Sequence, residues 1–585
     1  MRKIFLFFLI TTFLFSNEII NQAVSKQLYN LDRYKALLHY NKKFEITDKS
    51  FFISKNPTLK NELIADIKGF LDTSKYAPNK HPQCRFPARF LFIKKELNLS
   101  DNIFPKVNCP DLEIYKQKAP YKNISLIFAS ENIKSPSSMM GHTFFKFSGN
   151  GLANSISFYT FINSYNPLKL IYENTIPGMK GYFILRPYRE TLYNYLENEK
   201  RNVWEYHLKL TPFEKKMIYY HTWELKDIKM KYYFTSYNCA TVVFYILSSA
   251  NPKILKEDKF WLTPLSVIKI ANKYKMIDKS NLLPNDEWFI KLLENQLSYS
   301  KIKQIKSIIE NREFNKLKNL EINKDNFYFI TLAQTYCIYL YKNNQLSKND
   351  FDKFINIFHE YKFKYHFDIS HYKNPLKTPP ERQISIGLKN EEKTNFLKFS
   401  FLPASHTLSD DNREYFNESA LKIGYISFIA NTNKILLDNF AIYNITNLIP
   451  YDILTKPISY NFDLSIKRKY DENLDKKLFF NTNVGVGIDF NIFTDINLFS
   501  VFDVGVQYNK NVDFIYYPKV GFSIYEILNS KGVFYYQPTF INNKFAYNKY
   551  SFSQNFFLKN NYKLSLEYKK IDNKEEYEVG IVKLF

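Results

Sequence analysis

The chain has 585 residues, 18% of them aromatic with 55 Phe and 46 Tyr against only 14 Gly, and carries a formal net charge of +24. That length predicts two to four domains rather than one core. The charge does not mark a nucleic-acid binder, because the lysines are scattered singly among Asn, Tyr and Phe instead of forming a stripe. Beyond the first residues no eighteen-residue apolar run occurs, which removes a helical inner-membrane protein from consideration.

Arg2 and Lys3, an apolar run from Ile4 to Phe15 and the small Ser16 follow the tripartite pattern of an export signal over residues 1–16. The run falls short of the ~20 residues that a membrane-spanning helix needs, and no Cys follows it to carry a lipid anchor. Export places the chain away from nucleic acid and in an oxidising compartment.

Residues 17–115 are predicted to form a small helical domain, since LYNLDRYKALLHY and NPTLKNELIADIKGFLDT have helical apolar spacing. Cys84 and Cys109 lie in its Pro-rich end and read as a disulfide. Residues 116–295 turn mixed, with ISLIFAS, HTFFKFSG and NSISFYTFI as strands and RETLYNYLENEKR as a helix. A second helix, LTPFEKKMIYYHTWELKDIK, opens on Thr211 as N-cap and Pro212 at the first turn. A third, NCATVVFYILSSANP, starts near Asn238. Together these give an α+β domain of papain-like size. Residues 296–378 form a Lys-rich helical connector that ends at KNPLKTPPERQ.

From 379 to 585 the texture is alternation, in about twelve segments running from QISIGLK to EEYEVGIVKLF, with Asn, Asp and Lys at the turns. This predicts a transmembrane antiparallel β-barrel of the outer membrane. The last segment puts Tyr577, Val579, Ile581 and Phe585 on one face. A soluble β-sandwich would alternate too, but the export signal, the aromatic load and the terminal Phe favour the barrel.

Two stretches carry chemistry. Ser137-Ser138-Met139-Met140-Gly141-His142 delivers His142 to the start of a strand, and Tyr237-Asn238-Cys239-Ala240 puts Cys239 at the mouth of an apolar helix. A thiol becomes a nucleophile when its pKa is depressed, which a helix N-terminus and a neighbouring imidazole can do. The same backbone N–H groups can hold an oxyanion. Read from these residues alone, Cys239 is better explained as a core thiol or as half of a disulfide with Cys337, whose own apolar helical setting reads as core.

The stretches GHTFFKF, GMKGYFILRPYRE, NVWEYHLKLTP, HTWELK and YYFTSYNCAT, in that order, resemble the bacterial Lnb N-terminal periplasmic domain, named after a lipoprotein N-acyltransferase. HPQCRFPARF before it and FSFLPASHTLSDD after it resemble the helical domain and the barrel of a proteobacterial branch. The resemblance implies that His142 and Cys239 are a catalytic pair in a permuted papain-like fold, with ping-pong acyl transfer through Cys239. Asn238, Ser157 and Tyr159 are the candidates for an orienting or oxyanion role. No cofactor and no metal are expected.

His221 and Glu224, three apart on one helix, have a spacing seen in metal sites but read as structural, with no second His-rich motif to complete a ligand set. Trp204 and Trp223 read as core or interfacial, and His406, Asp410 and Asp411 as a solvated barrel-loop cluster. The expected function is a thiol acyltransferase or hydrolase facing the periplasm, with lipoprotein or phospholipid substrates. Its expected partners are outer-membrane lipids, an envelope substrate and the barrel assembly machinery. The alternatives are a cysteine peptidase or amidase of the envelope, and a non-catalytic barrel with a periplasmic scaffold.

Overall fold

The computed structural model describes residues 16–131, 139–161, 167–257, 261–493 and 495–585. The predicted export signal lies outside these except for Ser16, where a helix running to residue 25 begins; Ser137 and Ser138 lie outside them too. The chain divides into two compact units between Leu283 and Pro284.

The first unit starts with helices, among them Leu59–Leu71, Pro87–Glu96 and Pro110–Lys118. The last two begin on a proline, whose fixed φ suits a first turn and whose missing N–H costs nothing there. Cys84 and Cys109 are joined by a disulfide with Cα atoms 5.3 Å apart. At the centre lies the fully buried Arg89, which donates to Glu62 (2.9 Å) and to the carbonyl of Phe51 (2.7 Å). Its guanidinium also lies 4.2 Å from the Phe86 ring centroid. A charge this deep is tolerated only because it is paired and hydrogen-bonded.

Seven antiparallel strands follow: β1 (Asn123–Ala129), β2 (His142–Gly149), β3 (Leu152–Thr160), β4 (Met179–Pro187), β5 (Val203–Leu208), β6 (Met230–Tyr232) and β7 (Ile277–Leu283). They form one sheet in the order β6-β4-β3-β2-β1-β5-β7. Alternation gives β2 two faces. Phe147, on one, meets Tyr219 of helix Pro212–Glu224 (ring centroids 5.4 Å apart), and Phe158 of β3 meets Tyr237 just before helix Cys239–Ala250 (6.0 Å). His142 and Phe144, on the other, face Tyr195. Helix Cys239–Ala250 is buried at all twelve residues, as its apolar sequence requires.

The second unit contains four helices between Asp286 and Phe358, and the barrel. Helix Asp286–Glu294, which the sequence pattern assigned to the middle domain, belongs here: Ile290 and Leu293 join Ile305, Ile309 and Leu332 in one core. That core also takes Leu454 from a barrel loop, and Lys291 pairs with Asp452 of the same loop (3.6 Å).

Twelve long strands run from Gln383–Glu391 to Lys574–Leu584, and these two pair with each other over nine residues, which closes the barrel. Ile386, Leu388, Val486 and Ile581 point outward and are exposed, whereas Lys389, Asp463, Asn481 and Asp503 point inward and are buried. A soluble barrel has the opposite arrangement. An apolar exterior around a polar interior is what a bilayer demands of a spanning sheet. At one end the hairpins are tight, as at Glu392-Lys393 and Asn542-Asn543, where both central residues have positive φ as type I′ turns require. At the other end residues 407–417 fold inward. The loop position of His406 and Asp410 predicts that they are solvated, but both are buried: His406 bonds Ser419 (2.9 Å) and stacks on Tyr415, and Asp410 pairs with Lys563 (2.5 Å). Asp411 pairs with Arg413 at 2.7 Å.

Candidate active site

Asn238 caps the helix that carries the thiol. Its Oδ1 accepts from the Thr241 N–H (3.1 Å), and its Nδ2 donates to the carbonyls of Phe234 (3.0 Å) and Leu262 (3.1 Å). With every polar atom committed, Asn238 fixes the helix start and is not free to orient an imidazole. Cys239 follows as the first helical residue, buried and unpaired as a disulfide; Cys337 is also a free thiol, so the two are not bonded to each other. The backbone N–H groups of Thr143 and Ala240 and the Tyr232 hydroxyl lie close enough to the Cys239 Sγ to stabilise its thiolate. These donors and the Arg201 guanidinium favour the thiolate, yet burial outweighs them and the thiol pKa is raised. The depressed thiol expected from the helix N-terminus is therefore absent in the resting state.

His142 enters β2 from Gly141, whose φ of +85° and whose approach to the Phe128 ring exclude any side chain; a Cβ there would lie 2.6 Å from that ring. Burial pushes the imidazole pKa down to about 3, and the nearby Arg201 adds to the shift. The ring is neutral at ordinary pH. It lies 6.3 Å from the Tyr195 ring, centroid to centroid, and Tyr195 in turn senses the charge of Cys239. His142 and Cys239 thus share Tyr195, Arg201 and the strand start at Thr143. Among the described residues no hydrogen bond joins the two side chains directly. Arg201 is itself buried, donating to the carbonyls of Ser130 (2.6 Å) and Ala129 (2.8 Å) and to Glu199 (2.8 Å).

Tyr159 lies on the same sheet face as His142, and continuing the β2–β3 register places it opposite. Its hydroxyl accepts from Arg186 at 2.8 Å. Ser157 sits two residues earlier on that face, half-buried.

His221 and Glu224 belong to a chain of hydrogen bonds instead of a metal site. The Tyr237 hydroxyl meets His39 Nδ1 (2.6 Å), His39 Nε2 meets His221 Nε2 (3.0 Å), and His221 Nδ1 meets Glu224 (2.8 Å). Glu224 also accepts the N–H groups of Ala88 (2.7 Å) and Arg89 (3.0 Å) at the start of helix Pro87–Glu96. Tyr237 is two residues from the nucleophile candidate, so this buried chain ties the helical segment to the cysteine loop. Trp223 adds a bond from Nε1 to the carbonyl of Cys84 (2.7 Å), and Trp204 is wholly buried. Tyr195, Arg201, Tyr232 and His39 carry no sequence signal of this placement, because none stands in a recognisable motif beside the Cys or the His. Among the described residues no group of three or more His, Cys, Asp or Glu side chains could hold a metal ion.

Known proteins extend this picture in one place. A family model covering residues 111–274 carries the description Lnb N-terminal periplasmic domain. The segment that builds the cysteine site matches that family. Two further models, both of domains of unknown function, match residues 26–96 and 373–581. No curated protein matches the chain. Among solved structures, the KdgM porin and the NanC porin each share 8% identity, over 35% of this chain and 99% of theirs, at a TM-score of 0.23. A loop-deletion form of OmpT, an outer membrane protein of Vibrio cholerae, shares 8% identity over 34% and 97%, at 0.20. These likenesses are too slight to argue from; the closed ladder and the inverted polarity carry the barrel. The chain is an outer-membrane protein whose Lnb-type part lies in the periplasm.

Proposed function

We propose that the Lnb-type domain is a thiol enzyme that transfers or hydrolyses acyl groups in the periplasm, tethered to the outer membrane by its barrel. The observation that carries this reading is the convergence on the Cys239 Sγ of two backbone N–H groups and the Tyr232 hydroxyl, beside a neutral imidazole. The Sγ attacks the acyl carbonyl carbon while His142 takes the thiol proton. The N–H groups of Thr143 and Ala240 hold the oxyanion. His142 then gives its proton to the leaving group, and a thioester on Cys239 remains. An amine or water attacks the thioester, losing its proton to His142, which returns it to the departing thiolate. Contacts between base and nucleophile are often long in resting enzymes and tighten with substrate. Lipoprotein or phospholipid acyl groups suit a protein held in this membrane.

A second reading, a non-catalytic periplasmic domain, is favoured by the thiol being held protonated with no direct bond to His142. The two separate on turnover of a short-chain p-nitrophenyl ester by the full-length protein in detergent. An enzyme loses at least ~100-fold in kcat/KM with Cys239→Ser or His142→Ala, and an added primary amine diverts product from acid to amide in a transferase. Turnover that neither substitution changes sinks the proposal.

A further inference from the structure

The barrel interior encloses a cavity of about 470 Å³ whose wall carries ten Lys and Arg side chains against five Asp and Glu. Most of those carboxylates are already engaged: Asp438 by Lys389 (2.9 Å), Asp463 by Lys467 (2.6 Å), Glu567 by Lys569 (2.7 Å) and Glu576 by Lys476. Asp503 is the least engaged, with Lys519 at 3.8 Å. Lys469 donates only to the neutral amide oxygens of Asn481 and Gln507, both at 3.0 Å. Lys549 lies over the Tyr535 ring at 5.3 Å, and Lys519 over the same ring at 5.6 Å. Among the described residues neither Lys469 nor Lys549 has a carboxylate within ion-pair distance.

Uncompensated ammonium groups crowded in a lumen with low-dielectric walls repel one another and focus a positive potential inward. The geometry points to an anion-binding site in this lumen, centred on Lys469, Lys519, Lys549 and Tyr535, that takes a small water-soluble polyanion bearing carboxylate or phosphate groups. The cavity holds a few such groups and no more. The strands seal it from the bilayer, so its ligand arrives from water and not as a membrane lipid. The Tyr535 hydroxyl, on the cavity wall, supplies a hydrogen bond beside the charge. This site is independent of the cysteine chemistry.

The test is calorimetric titration of the full-length protein in detergent at low ionic strength, with inorganic pyrophosphate in one arm and citrate in the other. A heat-modifiable gel band verifies that each variant has a folded barrel. Saturable one-to-one binding is expected in at least one arm, and which arm responds distinguishes phosphate from carboxylate. Added salt should weaken it, and Lys469→Met with Lys549→Met should weaken it at least about tenfold. Lys510→Met, in the exposed bend between Tyr508 and Val512, should leave it intact. If the double variant gives no folded band, each single variant is titrated in its place, with a several-fold loss expected. Absence of saturable binding in both arms, or equal affinity in the lumen variants, overturns the assignment.

Discussion

At the scale of single residues, burial decides protonation. His142 and His39 are both held neutral, His142 near 3 and His39 well below the usual 6.5, with desolvation the largest cause in each. A depressed native pKa means that the unfolded chain binds more protons than the native one below 6.5. The stability these groups contribute is therefore complete above pH 6.5 and lost as the pH falls. Thermal melts of the full-length protein should show the first unit unfolding at progressively lower temperature from pH 6.5 to 4; a midpoint flat across that range would contradict the assignment. Glu224 joins this argument from the opposite side. It satisfies His221 and two helix N-terminal N–H groups in a fully buried setting, so Glu224→Ala should cost about 3 kcal/mol in chemical denaturation. A loss below 0.5 kcal/mol, roughly that of an ordinary surface change, would show that the chain of hydrogen bonds does not hold the two segments together. Cys239 and His142 were legible because each stands in a short motif with a mechanism. Tyr232, Tyr195, Arg201 and His39 were not, because their roles come from long-range packing that spacing along the chain does not reveal.

At the scale of elements, caps and prolines were the reliable signals. Thr211 and Glu214 form the reciprocal capping box before helix Pro212–Glu224, and Asn238 starts the cysteine helix where the sequence put it. Three of the seven sheet strands were read correctly. β7, Ile277–Leu283, was missed because an edge strand facing water carries Asp, Lys, Ser and Asn in place of an apolar run. The helix Asp286–Glu294 was placed with the wrong neighbour for a related reason: an amphipathic stripe says that a face is buried, not against what. Asn238→Ala should cost about 1 kcal/mol through the lost cap. It should also lower any Cys239 reactivity, because the same side chain ties the carbonyls of Phe234 and Leu262 to the start of the cysteine helix; unchanged stability and reactivity would make the cap incidental.

At the scale of the whole molecule, polarity inverted across a closed sheet marks the bilayer, and the alternating pattern of residues 379–585 made that visible in advance. Leu388→Arg on the outer face should destabilise the bilayer-inserted barrel by about 2–4 kcal/mol near mid-depth. A soluble barrel would accept the same change, so an unaltered unfolding profile in vesicles would refute the membrane face. What the sequence could not display was the charge imbalance of the lumen, because inward lysines look like any others until the strands close.

The central claim is that Cys239 accepts an acyl group with His142 as its base. The direct measurement is peptide mass spectrometry of the full-length protein after brief exposure to a short-chain p-nitrophenyl ester and, separately, to phospholipid vesicles. An acyl adduct confined to Cys239, released by hydroxylamine, absent in Cys239→Ser and reduced at least ~100-fold in His142→Ala, is the predicted result. No adduct on Cys239 with either donor, or an adduct that forms equally well without His142, would contradict the account and leave the domain a periplasmic scaffold on a membrane barrel.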